Sequence, residues 1–300
     1  VLSLRETTLQ EGLTIEAALE KLDEGDFAEA RRIARLLPRA SNLSPTELGN
    51  VHFVIGAATT LETDGTWDEP NRAGLYALAA RHLEQSYKFA MPNGREEAVR
   101  LLLGRCLIES GQYEASLAPL LEVSSGSPVA QTEASRMLAI AYLKTSPPDL
   151  EKAGLYAEKY AQGAQAIPEM RNSAALLQAE VALNRGELPR CDELLDSIPD
   201  DAQQVNERKL LRGRLLLAQA DQLAKSGQQT SDELDAIYAS AIGVIREAMS
   251  HHAVGQGLSS QGSYLIGTVL RRQGQLEAAQ DQFFRTRKRY YNTPEGVAAS

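Results

Sequence analysis

The chain has 300 residues, of which 43% are hydrophobic, and it carries a net charge of −9 at neutral pH. This length suits two ordinary domains or one extended array of repeats. The charge argues against a nucleic-acid partner, because such proteins usually carry a basic face. No apolar run approaches the ~18 residues that are needed to span a membrane, and the residues assign no cellular compartment.

A fixed spacing of small residues recurs along the chain. A small residue is followed by a glycine seven positions later and by a second small residue five positions after that, at Ala18, Gly25 and Ala30; Gly104, Gly111 and Ser116; Ala179, Gly186 and Cys191; and Gly267, Gly274 and Ala279. Such a register predicts a repeat architecture. Apolar residues at helical spacing predict that each repeat is a pair of antiparallel helices. We expect small residues on the two helices to face each other, and the glycine to end the first helix in a left-handed cap.

Joints rich in proline and glycine divide the chain into segments that each hold one predicted helix pair. In chain order these segments are 13–38, 46–92, 96–128, 131–163, 169–199, 203–252 and 259–291. Residues 51–60 contain enough β-branched and aromatic side chains to suit a strand, but the repeat register places them on a first helix. Residues 255–262 are glycine-rich, and we interpret them as a loop between repeats.

The last residues predict the start of another helix. Thr293 suits an N-cap, Pro294 the first helical position and Glu295 the first turn. We therefore expect the chain to be a fragment of a longer protein.

The segment 101–128 is the best-formed repeat. It contains Leu103-Gly104, Gly111 followed by Tyr113, Ser116, Leu120 and a closing Pro128, and 265–294 repeats much of this pattern. The pattern resembles the tetratricopeptide repeat (TPR) family, whose unit of about 34 residues is a helix-turn-helix. The resemblance implies an all-α fold, with residues 1–300 forming a single α-solenoid, a right-handed superhelix whose concave groove is built mainly from first helices. The alternative is a generic helical bundle that is rich in alanine and glycine.

No catalytic or cofactor motif is present. The chain lacks a GxxxxGK[ST] phosphate loop, an HExxH metal motif and a GxSxG nucleophile elbow. The adjacent His251 and His252 would point about 100° apart on a helix, so we do not interpret them as a metal site. We interpret His52 and His82 as isolated, helix-surface or half-buried histidines. We therefore predict no catalytic residue, no metal site and no cofactor, and we interpret the chain as non-enzymatic.

The two cysteines suit packing positions. Cys191 occupies a small-residue position of the repeat, and Cys106 lies within a first helix. We interpret both as small buried hydrophobes rather than as a disulfide pair.

The TPR resemblance also implies a partner surface, because in that family certain positions of the first helix point into the groove. The matching candidates are Arg105, Glu109, Arg136, Glu180, Asn184, Arg214, Tyr264, Arg271 and Arg272. Arginine forks bind carboxylates, so one hypothesis is a peptide or protein ligand with acidic groups, with Tyr264 as an apolar wall. The alternative is that the arginines pair with Glu109, Glu133 and Glu180 inside the groove.

A basic run near the C-terminus has two interpretations. Arg285, Arg287, Lys288 and Arg289 precede Tyr290 and Tyr291. Cations at a helix C-terminus complement the helix dipole, or they form a docking site for an acidic partner or a membrane surface.

Three functions remain open from the sequence. The first is an interaction scaffold that binds a protein or peptide in its groove. The second is a ligand-sensing or enzymatic repeat domain with a pocket in the concave face. The third is a structural segment that associates with itself.

Overall fold

The computed structural model of the protein describes residues 13–299, apart from 41, 66–70, 166, 228–229 and 251–254. The described parts are helical and contain no strand, and residues 51–60 lie within a helix, as the repeat register predicted. The helices are α1 (Ile15–Asp23), α2 (Phe27–Ala40), α3 (Pro45–Asp64), α4 (Arg72–Phe89), α5 (Glu96–Glu109), α6 (Tyr113–Leu121), α7 (Pro128–Lys144), α8 (Leu150–Ala164), α9 (Pro168–Arg185), α10 (Leu188–Asp196), α11 (Val205–Ser226), α12 (Ser231–Met249), α13 (Gln256–Arg272), α14 (Leu276–Arg289) and α15 (Pro294–Ala298), with a 3-10 turn at Glu122–Ser125.

The chain divides into two compact units, Val1–Asp149 and Leu150–Ser300. In the first unit, the first helices of successive pairs, α1, α3, α5 and α7, contact one another in order. In the second unit, α9, α11, α13 and α15 do the same. The division falls between α7 and α8, inside the predicted segment 131–163. A single solenoid over residues 1–300 stays a prediction.

Glycines end several first helices as predicted. Gly25, Gly111, Gly186 and Gly274 have φ angles of 82°, 78°, 77° and 74°. This left-handed conformation costs glycine little and other residues more, because glycine has no Cβ. The recurring glycine of the sequence pattern is therefore a chain-reversal residue between the two helices of a pair. The pair α11–α12 lacks a glycine at that position, and Gly227 ends a longer α11 instead.

At Gly104 and Gly267 the small residue of the first helix faces a large side chain, not the predicted second small residue. A Cβ placed on Gly104 would lie 2.4 Å from Cδ2 of Leu120, and one on Gly267 would lie 2.6 Å from Cε1 of Phe283. In both pairs the large residue is sixteen positions after the glycine. Ser116 is buried, but its Oγ donates to the Tyr113 carbonyl. The two helices of each pair thus pack closely because the side chain of Leu120 or Phe283 lies directly against the glycine backbone of the first helix.

The interpretation of residues 255–262 as a loop is wrong. Gly255 is the N-cap residue of α13, and Gly257 and Gly262 lie inside that helix. A Cβ on Gly262 would lie 2.5 Å from Sδ of Met249, so this glycine allows α13 to pack against the end of α12.

The predicted helix at the C-terminus is confirmed. Pro294 is the first residue of α15, and Thr293 caps it by accepting a hydrogen bond from the Gly296 backbone N–H at 3.1 Å. Ser260 on α13 donates to the Glu295 carboxylate at 2.9 Å, which ties α15 to the preceding first helix.

Candidate functional site: an ion-paired face on the first helices

An ion pair connects two neighbouring first helices of the first unit. Arg105 on α5 donates from Nη2 to Oδ1 of Asp64, the last residue of α3, at 2.9 Å. Arg136 on α7 pairs with Glu133 of its own helix, with Nη2 and Oε1 2.5 Å apart. The structure thus adopts the alternative in which the arginines pair with acidic groups of the chain, although Arg105 pairs with Asp64 rather than with Glu109.

The second unit repeats this arrangement. Arg214 on α11 donates from Nη1 to Oε1 of Glu180 on α9 at 3.0 Å. Arg272 on α13 pairs with Asp221 on α11. We call the three pairs that cross between first helices, Asp64–Arg105, Glu180–Arg214 and Asp221–Arg272, the interhelix ion pairs. In each one the acid comes from the earlier helix and the arginine from the next.

The interhelix ion pairs lie at the surface without being fully exposed. The side chains of Arg105, Arg214 and Arg272 are 38%, 32% and 42% exposed, and their acidic partners are less so. An ion pair in such a setting contributes about 0–1 kcal/mol to stability, because solvent screens it. These pairs are therefore weak structural links, and their groups remain accessible to a ligand.

Asp64 is the centre of a larger polar cluster in the first unit. Tyr76 on α4 donates its hydroxyl to Asp64 Oδ1 at 2.6 Å, and Arg72 donates to the Tyr76 oxygen at 2.9 Å. Burial and the neighbouring Asp64 carboxylate raise the pKa of Tyr76 to about 12. Asp64, Arg72 and Tyr76 were not predicted from the sequence, because the repeat spacing does not indicate how α3 and α4 align.

The other predicted groove residues differ in their surroundings. The Asn184 amide donates to the Glu180 carbonyl of its own helix at 2.7 Å. Tyr264 and Arg271 both lie against Phe283, with the ring centroids 5.4 Å apart and the guanidinium 6.0 Å from the ring. Glu109 is exposed, and its side chain makes no hydrogen bond or ion pair within the described residues. Tyr264 thus packs against α14 of its own repeat, and its role as an apolar wall for a ligand stays a prediction.

One solved structure supports this architecture. The chain is similar to the C-terminal part of a TPR repeat-containing protein from Cytophaga hutchinsonii, with a TM-score of 0.52 and 11% sequence identity over 95% of this chain and 99% of that one. The chain has a TPR-like helical repeat fold. No protein-family model matches the sequence, and no curated protein matches it.

In this TPR-like fold, His52 and His82 form a pair, so the interpretation of these histidines as isolated is wrong. They lie on α3 and α4, and their Nδ1 atoms are 3.0 Å apart, so one nitrogen donates a hydrogen bond and the other accepts it. The His52 ring also stacks on Phe89, with the centroids 5.9 Å apart. Burial lowers the pKa of both imidazoles, and His52 and Arg35 lower that of His82 further.

The stability of the first unit is expected to fall through this pair as the pH is lowered from about 7.5 to values below the ordinary histidine pKa of about 6.5. An unfolded chain binds protons on both histidines near pH 6.5, whereas the folded chain, with its lowered pKa values, binds them only at lower pH. The unfolded state then holds more protons, so stability present above about pH 6.5 is lost below it. Urea denaturation across this range measures the slope. His52→Asn/His82→Asn should flatten it, and an equal slope in this variant would contradict the assignment.

Two buried thiols do not contribute to the ion-paired face. Cys106 and Cys191 are both free and buried, as the sequence predicted. Burial raises the pKa of Cys106 to about 12, although Thr60 Oγ1 lies 3.0 Å from its sulfur, and that of Cys191 to about 11. Both groups therefore remain thiols at neutral pH.

A cleft in the second unit does not contain predicted groove residues. It has a volume of about 900 Å³ at the start of α11 and includes Asp200, Asp201, Lys209 and Glu247 in its walls. Lys209 pairs with Glu247 at 3.2 Å. Among the described residues, no group of three or more His, Cys, Asp or Glu side chains could hold a metal ion. His251 and His252 lie outside the described residues.

The TPR-like helices that the structure describes include none with both the length and the apolar content that a membrane crossing needs.

Proposed function

We propose that the protein is a non-enzymatic scaffold that binds a peptide or protein segment along the exposed side of its first helices. The observation that carries the proposal is the set of interhelix ion pairs. They place arginines and carboxylates from successive first helices side by side within each unit, at hydrogen-bond distance and partly open to solvent. A surface of alternating charge suits an extended peptide, whose backbone and side chains present both donors and acceptors.

Arg105 provides the clearest point of attachment. Only its Nη2 is hydrogen-bonded to Asp64, and its other guanidinium nitrogens have no partner among the described residues. A carboxylate of the ligand binds there with two parallel hydrogen bonds, the geometry that an arginine fork favours. Exchange of a surface ion pair costs about 0–1 kcal/mol, so intramolecular pairing does not block this role. The proposed ligand therefore carries acidic groups, as in the hypothesis drawn from the sequence.

Reversal of two charges on this face is expected to weaken partner binding by about tenfold or more, because a charge at an interface then meets its like. The variant is Arg105→Glu/Arg136→Glu, and its binding is measured by affinity capture from the native host with quantification of each retained protein. Partners that bind the face are depleted in the variant.

A matched control distinguishes this from a general charge effect. Arg32→Glu/Arg190→Glu changes the net charge equally, and both residues form i,i+3 pairs on second helices, as Arg136 does on a first helix. Capture by the control should equal that of the wild type. The proposal is overturned if the two double variants retain the same proteins in the same amounts while both keep wild-type helicity.

A further inference from the structure

The C-terminal half of α14 differs from the ion-paired face in having cations without acidic partners. The side chains concerned are Phe284, Arg285, Arg287, Lys288, Arg289 and Tyr291, which we call the C-terminal basic patch. None of the ion pairs among the described residues includes its four cations. All six side chains are exposed, within a chain whose net charge is −9.

Two exposed aromatic side chains accompany these charges in the sequence. Phe284 is 55% exposed, and Arg287 and Lys288 follow it by three and four residues, so the three share one side of the helix. The Arg287 guanidinium lies over the Phe284 ring, 5.6 Å from its centroid. Tyr291, just beyond the helix end, is 70% exposed. The patch therefore combines fixed positive charge with an apolar centre.

The buried side of α14 is already occupied. Thr286 is fully buried, and its Oγ1 lies 2.7 Å from Ser263 Oγ on α13. Gln282 donates to the same Ser263 hydroxyl at 2.9 Å. These contacts fix the rotation of α14 about its axis, so Phe284 and Lys288 are held facing away from α13.

We propose that the C-terminal basic patch binds an acidic peptide segment of a partner protein that also carries apolar side chains. Charge complementarity supports this occupant, because carboxylates of the peptide would neutralise cations that form no ion pair with the described part of the chain. Phe284 and Tyr291 would contact the apolar residues of the peptide, since aromatic and arginine side chains dominate such contacts.

An anionic bilayer or a nucleic acid fits this location less well. Asp281 and Glu277 lie about one and two turns before the patch on the same helix and are exposed. An extended polyanion would lie against these carboxylates and against the acidic remainder of the chain, whereas a short peptide covers the patch alone. The two carboxylates also predict an orientation, with the acidic end of the peptide towards the C-terminus of α14.

Fluorescence anisotropy with a defined probe tests the proposal. The probe is a fluorescein-labelled peptide of about four helical turns, with leucine at every third or fourth position and glutamate between. Its matched form has glutamine for each glutamate. The glutamate peptide should bind the protein at low salt, weaken as salt is added, and bind at least about tenfold more tightly than the glutamine form.

Variants of the chain locate the binding. Arg285→Glu/Arg287→Glu/Lys288→Glu should abolish it, and Phe284→Ala/Tyr291→Ala, which changes no charge, should weaken it several-fold. The control Lys159→Glu/Lys225→Glu/Arg246→Glu makes the same charge change at exposed residues elsewhere in the second unit and should bind as the wild type does. If the triple patch variant does not fold, Arg285→Gln/Lys288→Gln replaces it, with a smaller loss expected.

Four results would overturn the proposal. The first is equal binding of the two peptides, and the second is equal binding by the patch and control variants. The third is a role limited to the helix dipole, in which patch variants lower the thermal midpoint but the wild type binds no peptide. The fourth is a different occupant: binding to phosphatidylserine vesicles without peptide binding, or patch-dependent dimers in light scattering. The Arg105→Glu/Arg136→Glu variant should bind the probe normally, so this proposal and the proposed function fail separately.

Discussion

Replacing Leu120 by alanine is expected to lower the free energy of unfolding of the first unit by about 2–5 kcal/mol. Leu120 is 1% exposed and rests on the bare backbone of Gly104, so truncation leaves a cavity between α5 and α6. Urea denaturation followed by circular dichroism measures the change.

Substitution of Gly104, the residue that Leu120 contacts, provides the control for this prediction. Gly104→Ala alone should destabilise, because its Cβ would lie 2.4 Å from Leu120. In the Leu120→Ala background the same methyl group enters vacated space, and alanine also favours the helix over glycine by about 1 kcal/mol. The two substitutions should therefore couple favourably by about 0.5–3 kcal/mol. Strict additivity would show that Gly104 and Leu120 do not face each other.

Gly49→Ala is expected to lower the free energy of unfolding by about 1–3 kcal/mol. A Cβ on Gly49 would lie 2.0 Å from the carbonyl oxygen of Ala90, a backbone atom that cannot rotate away. The end of α4 must shift to admit the methyl group. The clash then outweighs the gain of about 1 kcal/mol that alanine otherwise brings to a helix.

Gly243→Ala is the matched control for Gly49→Ala. Gly243 lies in the middle of α12, is exposed, and would bring its Cβ within 4 Å of nothing. We expect this substitution to stabilise the chain by about 0.5–1 kcal/mol. Thermal midpoints should therefore move in opposite directions in the two variants. A downward shift in both would contradict the assignment of the Gly49 effect to its contact with Ala90.

The sequence predicted the local features of the fold well, because they depend on single residues. Gly111 and Gly274 occupy left-handed turns because their position in the repeat requires a positive φ, and Thr293 caps a helix because its hydroxyl reaches the third backbone N–H. The helical state of residues 51–60 followed from register, although their composition suits a strand.

Contacts between helices were predicted less well, because they depend on how two helices are offset along their axes. The pattern placed Ser116 opposite Gly104, whereas the structure places Leu120 there, one helical turn further on. His52 and His82 are thirty residues apart on two helices whose alignment the repeat spacing does not give, so their hydrogen bond could not be found from spacing. Gly56 on α3 faces Leu83 on α4. Because His82 is adjacent to Leu83 and His52 lies one turn before Gly56, this contact would have placed the two histidines close together.

The partners of the candidate site show the same limit. The sequence named Glu180 among the acidic residues with which the groove arginines could pair, without assigning it to a particular arginine, and in the structure it pairs with Arg214 on the next first helix. Glu109 was also named in that set, but Arg105, four residues earlier on the same helix, pairs instead with Asp64 on the preceding first helix. Asp64 is the last residue of α3, and its distance from the Arg105 guanidinium depends on how α3 and α5 are offset. Sequence spacing does not give that offset.

The buried thiols have a practical consequence for future experiments. A maleimide or iodoacetamide reagent reacts with thiolates, and at neutral pH Cys106 and Cys191 present neither thiolate nor access. A cysteine introduced at an exposed position of a second helix would then be the one labelled by a fluorophore, and neither native cysteine would have to be removed. Dyes attached singly to the first and second units would report how the distance between these units responds to a partner.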